Sequence, residues 1–483
     1  MKRFRFVRVA ALAACLLGAR TAPASVTTDD LGPAPDSKQI TYVAMSPDCH
    51  NIAMVVMAGT GVELRVNGKS QATADDILFV LYSPDSARLA YTARKDKTWY
   101  VILDGKETST GSLQASQLVF SDDGRHLGYV TKTATGDSAI VDGRTIGANR
   151  QVVHLTLSGD GSHVAYGYLN DQKQWAVMRD GKDTGHAYPK GVDRIRFSPD
   201  GQHLVLVGCL SDDLLVGLRY EVVVDNDTYG PYYEILSGPV FFQKGAHWAF
   251  AADRSTGITS VLGQGAPGVR SLQVVDGKED STLPRIAHRN PDSVGTGLEQ
   301  SLYSDDGAHH LLVESEQVEM IHEKHLFIDG QEREGFPLKD VTMSPDGKRL
   351  ASEGYRFLVI DGQRKDTDFE LGPLLFSPDS QHLAYAVAKP LSNDWFMDVD
   401  DILQPAAIVL PTVDVRWNPP QWDLLYDHVE DQASFDNGHS YNGQYPYHFD
   451  PDGTLVYFRV TDGHLYRVHW KPDDATTAPA TRP

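Results

Sequence analysis

Cysteine is scarce in this chain of 483 residues, which has three: Cys15, Cys49 and Cys209. So few thiols exclude a disulfide framework. Cys49 and Cys209 fall in different repeat units and are expected as isolated, partly buried thiols. Basic charge is also short, with 44 Lys and Arg against 65 Asp and Glu, a formal net charge of −21. Residues 1–24 hold Lys2, Arg3, Arg5, Arg8 and Arg20 and no acid, so without those five cations the charge falls from −21 to −26. A polyanion is repelled by nucleic acid and by anionic membrane surfaces, so neither is expected as a partner. Beyond the N-terminus no run of about 20 apolar residues occurs, so no second membrane span is expected. Sustained helical periodicity is missing as well. No G-x-S-x-G and no other catalytic motif is present, and no cofactor is expected.

What is there is a pair of corners, written over and over. The stretch from Val341 to Asp366 shows both. Ser344-Pro345-Asp346-Gly347 has the residues of a type I turn: proline presets φ, aspartate caps its own backbone, and glycine accepts φ > 0. Asp361-Gly362, between Val359-Ile360 and Gln363, is a strong two-residue hairpin signal. Two hairpins back to back make four short antiparallel strands.

The first corner recurs at Ser46, Ser83, Ser121, Ser158 and Ser198, at spacings of 37, 38, 37 and 40 residues. It returns at Ser304, Ser344, Ser377 and, as Asp450-Pro451-Asp452-Gly453, near the end. The second corner follows at Asn67-Gly68, Asp104-Gly105, Asp142-Gly143, Asp180-Gly181, Asp225-Asn226, Asp276-Gly277, Asp329-Gly330, Asp400-Asp401 and Asp462-Gly463. A sixth unit near Gln243-Lys244-Gly245 and a tenth near Asn418-Pro419-Pro420 are degenerate. This is the period of a four-stranded propeller blade. A twisted four-stranded sheet cannot bury either face alone, so such sheets stack around an axis.

The expected fold class is therefore all-β: a β-propeller of about eleven four-stranded units. Eleven exceeds the usual four to eight blades per ring, so two tandem rings are expected, at 39–290 and 291–470, with one large ring as the alternative. The segment Ser255–Arg270 reads as an insertion and Lys278–Gln300 as a polar run. Residues 25–38 read as a linker and 471–483 as a disordered tail.

The N-terminus reads as a targeting segment: a basic start, an apolar run Val9–Ala19, and Ala22-Pro23-Ala24 as an A-x-A cleavage site. Residues 1–24 are expected to be a signal peptide and the product periplasmic or secreted. The rival is Leu12-Ala13-Ala14-Cys15, which resembles a bacterial lipobox and would make Cys15 a lipid anchor.

S-P-D-G followed by an apolar L-A-Y strand resembles the WD40-like repeat of bacterial TolB-type propellers. Ser198-Pro199-Asp200-Gly201-Gln202-His203-Leu204 and Ser377-Pro378-Asp379-Ser380-Gln381-His382-Leu383-Ala384-Tyr385 carry the match. Val274-Val275-Asp276-Gly277-Lys278 resembles the second turn of exported bacterial propellers of unassigned role. The resemblance spans roughly residues 40–470. It implies an exported protein that binds a protein or another cell-envelope component. It implies no hydrolase activity, because the α/β-hydrolase domain of related peptidases has no counterpart here. The domain that precedes the ring in the Tol-system protein is also expected to be absent.

Eighteen histidines invite a metal hypothesis. Yet His126, His163, His203, His309 and His382 each lie five residues after the corner serine, where other units have Asn51, Arg88 and Arg349. One repeat slot at the start of the second strand explains them, and equivalent positions of neighbouring sheets lie too far apart for one zinc ion. His322-Glu323-Lys324-His325 is one residue short of H-E-x-x-H and runs into a strand. His309-His310 and Asp398-Val399-Asp400-Asp401 match no metal motif. The corner aspartates lack the spacing and tryptophan of a sialidase Asp-box, and they are spread through every unit rather than facing in pairs. No catalytic, cofactor or metal residue is therefore named.

Trp99, Trp175, Tyr220 and Trp395 recur before the second corner, and Tyr91, Tyr129, Tyr166 and Tyr385 eight residues after the corner serine. Both sets are expected to pack between sheets. Trp417, Trp422, Tyr426, Tyr441, Tyr445 and Tyr447 instead cluster where the repeat is worn, and are the candidate contact surface. The expected function is a non-catalytic binding scaffold. The alternative is a propeller enzyme acting on carbohydrate at a channel mouth, which requires convergent carboxylates from non-equivalent repeat positions.

Overall fold

A computed structural model describes residues 24–472, apart from breaks at 112–114, 134–135, 214–216, 243–244, 256–268, 281–292, 304–308, 319–320, 330, 334–339, 355–356, 368–369, 389–394, 401 and 409–446. The described chain is strand and turn, apart from one short 3-10 turn at Ser37–Gln39.

The corners form as their chemistry dictates. Gly347 has φ +70, and its N–H donates to the Ser344 carbonyl at 2.8 Å. The serine hydroxyl does double work. In seven corners it donates to the aspartate two residues on, at 2.5 to 2.8 Å, as Ser198 does to Asp200. It also accepts the N–H five residues on, as Ser344 Oγ does from Arg349 at 2.9 Å. These serines are buried, and a buried hydroxyl needs both bonds. At the second corner both residues are left-handed, as in Asp361 at φ +51 and Gly362 at φ +79, the geometry of a type I′ turn.

Each unit then folds into a meander of four consecutive antiparallel strands. Eight such sheets occupy 40–74, 76–111, 115–149, 152–188, 191–232, 234–280, 293–333 and 340–366. A ninth lies at 370–408. Among the described residues its one strand pairing with a tenth is Ile408↔Arg459. The tenth sheet is built from both ends of the chain. Tyr447–Phe449, Leu455–Thr461 and His464–Pro472 pair in order, and Ala24–Pro33 adds the outer strand. Within the expected linker 25–38, residues 25–33 are therefore strand, and 34–38 connect it to the first sheet. Ser25 pairs with Lys471 and Pro33 with His464, so the N-terminal strand completes the last sheet.

Cores lie between sheets, not within them. Ala53, Val55 and Leu64 of the first sheet meet Ile77, Tyr82 and Ala93 of the second. Comparable clusters join second to third, third to fourth, fourth to fifth and fifth to sixth. They also join seventh to eighth, eighth to ninth and ninth to tenth. Strand Ser293–Tyr303 of the seventh sheet lies against strand Glu234–Phe242 of the sixth. Phe458 and Leu465 of the tenth pack on Met45, Ile52, Met54 and Val56 of the first. Among the described residues the contacts run in one circuit through ten sheets. The polar run Lys278–Gln300 supplies strands at both its ends, Lys278–Asp280 and Ser293–Tyr303.

The innermost strands carry a feature absent from the sequence reading. Phe79, Gln117 and His154 stand at φ +51, +53 and +50, each four residues before a corner serine and each at a register shift. These are β-bulges, which re-aim side chains. Gln117 Oε1 accepts the Leu155 N–H of the next sheet at 3.3 Å, and Tyr42 donates to the Val80 carbonyl of the next sheet at 3.4 Å. The bulges therefore tie neighbouring sheets near the axis.

Candidate functional site

Strand alternation places both corners of the first nine units at one end of the sheet, an end occupied by internal pairs; in the tenth, Asp462–Gly463 joins the second and third strands and so lies at the other end. The slot residue meets the aspartate of the second corner: His126 Nδ1 lies 2.6 Å from Asp142, His163 2.8 Å from Asp180, His203 2.7 Å from Asp225 and His309 2.9 Å from Asp329. Arg88 and Arg349 make the same bond to Asp104 and Asp361, and Asn51 meets Asn67. His247, in the degenerate sixth unit, makes it too, at 2.7 Å from Asp276. Asp104, Asp142, Asp180, Asp225, Asp276 and Asp361 each use the other oxygen to accept the N–H after the slot, as Asp142 does from Leu127 at 3.0 Å. The repeat-slot reading of the histidines is thereby borne out, with a partner that spacing alone did not name.

His325 lies on a strand, its Nδ1 2.9 Å from Glu332. Asp400 of the acidic run pairs with His382 at 2.5 Å. Among the described residues no three His, Cys, Asp or Glu side chains gather as a metal site would need. Tyr91, Tyr129, Tyr166 and Tyr385 are buried, as expected. Trp175 and Tyr220 pack against inter-sheet cores, and Trp99 lies under the Arg94 guanidinium at 5.9 Å. Cys49 and Cys209 are not joined in a disulfide; Cys49 is buried, and burial pushes its thiol up. Of the six candidate surface aromatics, Trp417, Trp422, Tyr426, Tyr441 and Tyr445 lie outside the described residues. Tyr447 is a correction. It is 1% exposed, pairs with Tyr457 across the tenth sheet and packs in the core against the ninth, so it is no contact residue. Its position two residues before the strand end faces it inward, like the buried tyrosines of the repeat.

At the end away from the corners, between the third and fourth sheets, lies a polar cleft of about 700 Å³. That volume suits a small ligand or a protruding side chain. Its walls include Asp137, Asn149, Arg150, Asp171, Gln172 and Asp183. Gly136 forms the rim because nothing else fits. It has φ +149, and a Cβ there would meet the Asn149 carbonyl oxygen at 2.3 Å. Asp137 is 8% exposed and accepts the Val152 N–H at 3.1 Å, which ties the third sheet to the fourth. Tyr168 donates to the Asp183 carboxylate, and burial, then that bond, pushes its phenol up to about 12. Asp183 also accepts the Gly185 N–H at 2.7 Å. Arg150, Asp171 and Gln172 are exposed at the mouth. The cleft therefore offers carboxylate, guanidinium, amide and phenol groups, and its lining is more polar than apolar. It suits a polar, hydrogen-bonding ligand rather than a greasy one. Sequence reasoning missed it, since none of these residues belongs to a motif.

No family model matches the chain, and no curated protein matches it. Solved structures do. It is similar to a eukaryotic initiation factor at 14% identity and TM-score 0.43, over 74% of this chain and 92% of that one. It is similar to TolB from Acinetobacter baumannii at 18% identity and TM-score 0.25, over 50% of this chain and 62% of that one. The β-propeller domain of the Trilobed protease from Pyrococcus furiosus matches at 9% identity and TM-score 0.32, over 68% of this chain and 96% of that domain. Such likeness bears on fold alone, and the fold itself rests on the strand pairing described above. In architecture the chain resembles the TolB-type β-propellers.

Proposed function

We propose that the chain is an exported binding scaffold, built as a single closed ring of ten sheets, that engages a protein or another cell-envelope component without catalysis. One observation carries the reading: the recurrent ionisable pairs at the corner end are committed to one another, whereas the opposite end opens a polar cleft whose mouth residues, Arg150, Asp171 and Gln172, are exposed. Trp417, Trp422, Tyr426, Tyr441 and Tyr445 are the second proposed contact surface. In this reading residues 1–24 direct export to the periplasm or the medium, with Cys15 lipidation as the rival fate. No helix among the described residues is long and apolar enough to cross a membrane.

The test is affinity capture from an envelope extract with wild type, the Arg150→Ala/Asp171→Asn pair, and the Trp417→Ala/Trp422→Ala pair, all folded by circular dichroism. A specific partner enriched by wild type and lost with either pair supports the scaffold. Equal recovery by all three removes both surfaces. Intact mass of the exported product separates cleavage after Ala24 from lipidation at Cys15.

The carbohydrate-enzyme reading is favoured by one observation. Asp137, Asp171 and Asp183 stand sixteen, thirteen and twenty-five residues after their corner serines, so they occupy non-equivalent repeat positions. Two of the three already hold protein donors, which suits binding better than proton transfer. Release of reducing sugar from a glycan panel, abolished by Asp171→Asn, would establish it.

A further inference from the structure

The cleft between the third and fourth sheets marks a break in the repeat. On the third strand of a unit, five residues before the second-corner aspartate, Trp99, Trp175, Tyr220 and Trp395 occupy one position. In the third unit that position, on strand Gly136–Val141, holds Asp137. Its partner on the outer strand changes with it. Trp175 pairs with Tyr188 and Tyr220 with Tyr232, whereas Asp137 pairs with Asn149. Trp175 and Tyr188 pack in the core between the fourth and fifth sheets, and Tyr220 and Tyr232 in that between the fifth and sixth. The matching place between the third and fourth sheets lacks both rings, and there the cleft of about 700 Å³ opens.

Two polar residues in place of two rings leave more than room. Asp137 is 8% exposed, and its one hydrogen bond among the described residues is from the Val152 N–H to Oδ2 at 3.1 Å. Among those residues no cation pairs with it: Lys132 stands opposite on the neighbouring strand and is exposed. A buried carboxylate is costly until a positive charge and further donors compensate it. The other walls accept as well. Asn149 donates to the Tyr166 hydroxyl at 3.4 Å, which leaves its amide oxygen as an acceptor. Asp171 and Asp183 add two more carboxylates, while Arg150, the one cation among the described lining residues, is exposed at the mouth.

We propose that the cleft takes an arginine or lysine side chain of a polypeptide partner, its cationic head placed against Asp137 and Asn149.

This rests on the scaffold reading above and names the group that the cleft recognises. An ionised carboxylate only accepts hydrogen bonds, so a lining rich in carboxylates calls for a ligand of donors. An anion would meet three carboxylates on a chain of net charge −21. A neutral ligand would leave the Asp137 charge uncompensated. A guanidinium meets a carboxylate through two parallel N–H bonds and has N–H groups left for the Asn149 oxygen. An ammonium is a point charge without that fork, so arginine is favoured over lysine.

Isothermal titration of the full chain with a capped glycine-arginine-glycine tripeptide, its lysine counterpart and its citrulline counterpart tests this. Citrulline keeps the shape of arginine without the charge. The arginine tripeptide is expected to bind at least about tenfold more tightly than the citrulline one, the loss of a charge-assisted bond to a buried carboxylate. Asp137→Asn, which keeps an acceptor for the Val152 N–H, is expected to remove that preference. No binding of the arginine tripeptide, equal binding of the citrulline one, or a preference that survives in Asp137→Asn overturns the assignment. Should Asp137→Asn not fold, amide shifts of the wild type decide: shifts on adding the arginine tripeptide that spare 136–138, 149 and 168–171 overturn it. A partner captured through the cleft by a chain indifferent to arginine keeps the scaffold and removes the cation site. An arginine preference with no captured partner keeps the cation site and removes the scaffold.

Discussion

His382 Nδ1 lies 2.5 Å from Asp400 Oδ2, across the two corners of the ninth sheet, while the other Asp400 oxygen accepts the Leu383 N–H at 2.9 Å. The Asp400 bond raises His382 above the ordinary histidine value, more than burial lowers it. A raised histidine contributes stability that is complete below its ordinary value and is lost as pH rises through the raised one. Chemical denaturation between pH 5.5 and 8.5 should therefore show a contribution that declines on the alkaline side. His382→Gln should flatten it.

Ser344 tests the corner itself. Its hydroxyl donates to Asp346 at 2.8 Å and accepts from Arg349 N–H at 2.9 Å, and the residue is 1% exposed. Ser344→Ala leaves a buried N–H without a partner, which costs about 1–3 kcal/mol. Urea midpoints should show that loss. Ser344→Thr, which keeps the hydroxyl, should recover part of it.

Gly136→Ala should cost more than Gly362→Ala. At Gly362 the penalty is left-handed backbone alone, since nothing lies within 4 Å of an added Cβ, and such strain costs about 1 kcal/mol. At Gly136 the new Cβ meets the Asn149 oxygen at 2.3 Å as well, so strand 144–149 must shift and the cleft narrow. Thermal midpoints compare the two, and ligand capture by the cleft should weaken only in Gly136→Ala.

Arg467→Ala should weaken closure by about 1–3 kcal/mol, because charged hydrogen bonds to Asp29 and the His50 carbonyl vanish together. Arg467→Lys should not restore it, since an ammonium cannot span both acceptors as a guanidinium fork does. The readout is proteolysis at residues 24–33, which should quicken in both variants.

Asp160 fixes the acid limb. The Ser162 hydroxyl, then the Ser162 N–H and Ser158, hold its carboxyl well below the usual carboxylate range. Its contribution is present above the ordinary aspartate value and lost as pH falls below it. The acid unfolding midpoint should therefore rise in pH for Ser162→Ala.

Much was legible in the residues because the corners are local. Ser344, Asp346 and Gly347, or Asp361 and Gly362, satisfy one another within a few positions, so their order sufficed to place strands, turns and the period. The slot histidines were assigned to structure on spacing alone, and Tyr91 and Tyr166 to the interior. The rest depends on which sheets meet. Ser25 finds Lys471 across the whole chain, and no local pattern marks 24–33 as strand. Asp137 and Asp183 share a cleft only because the third and fourth sheets stand side by side. His50 and His469, with ring centroids 5.6 Å apart, come together only where strand 464–472 packs against the first sheet. Local hydrogen bonding thus determined the repeating sheet, whereas closure and cleft were decided by burial of apolar faces between sheets, an interaction that acts through space and leaves no mark in residue order.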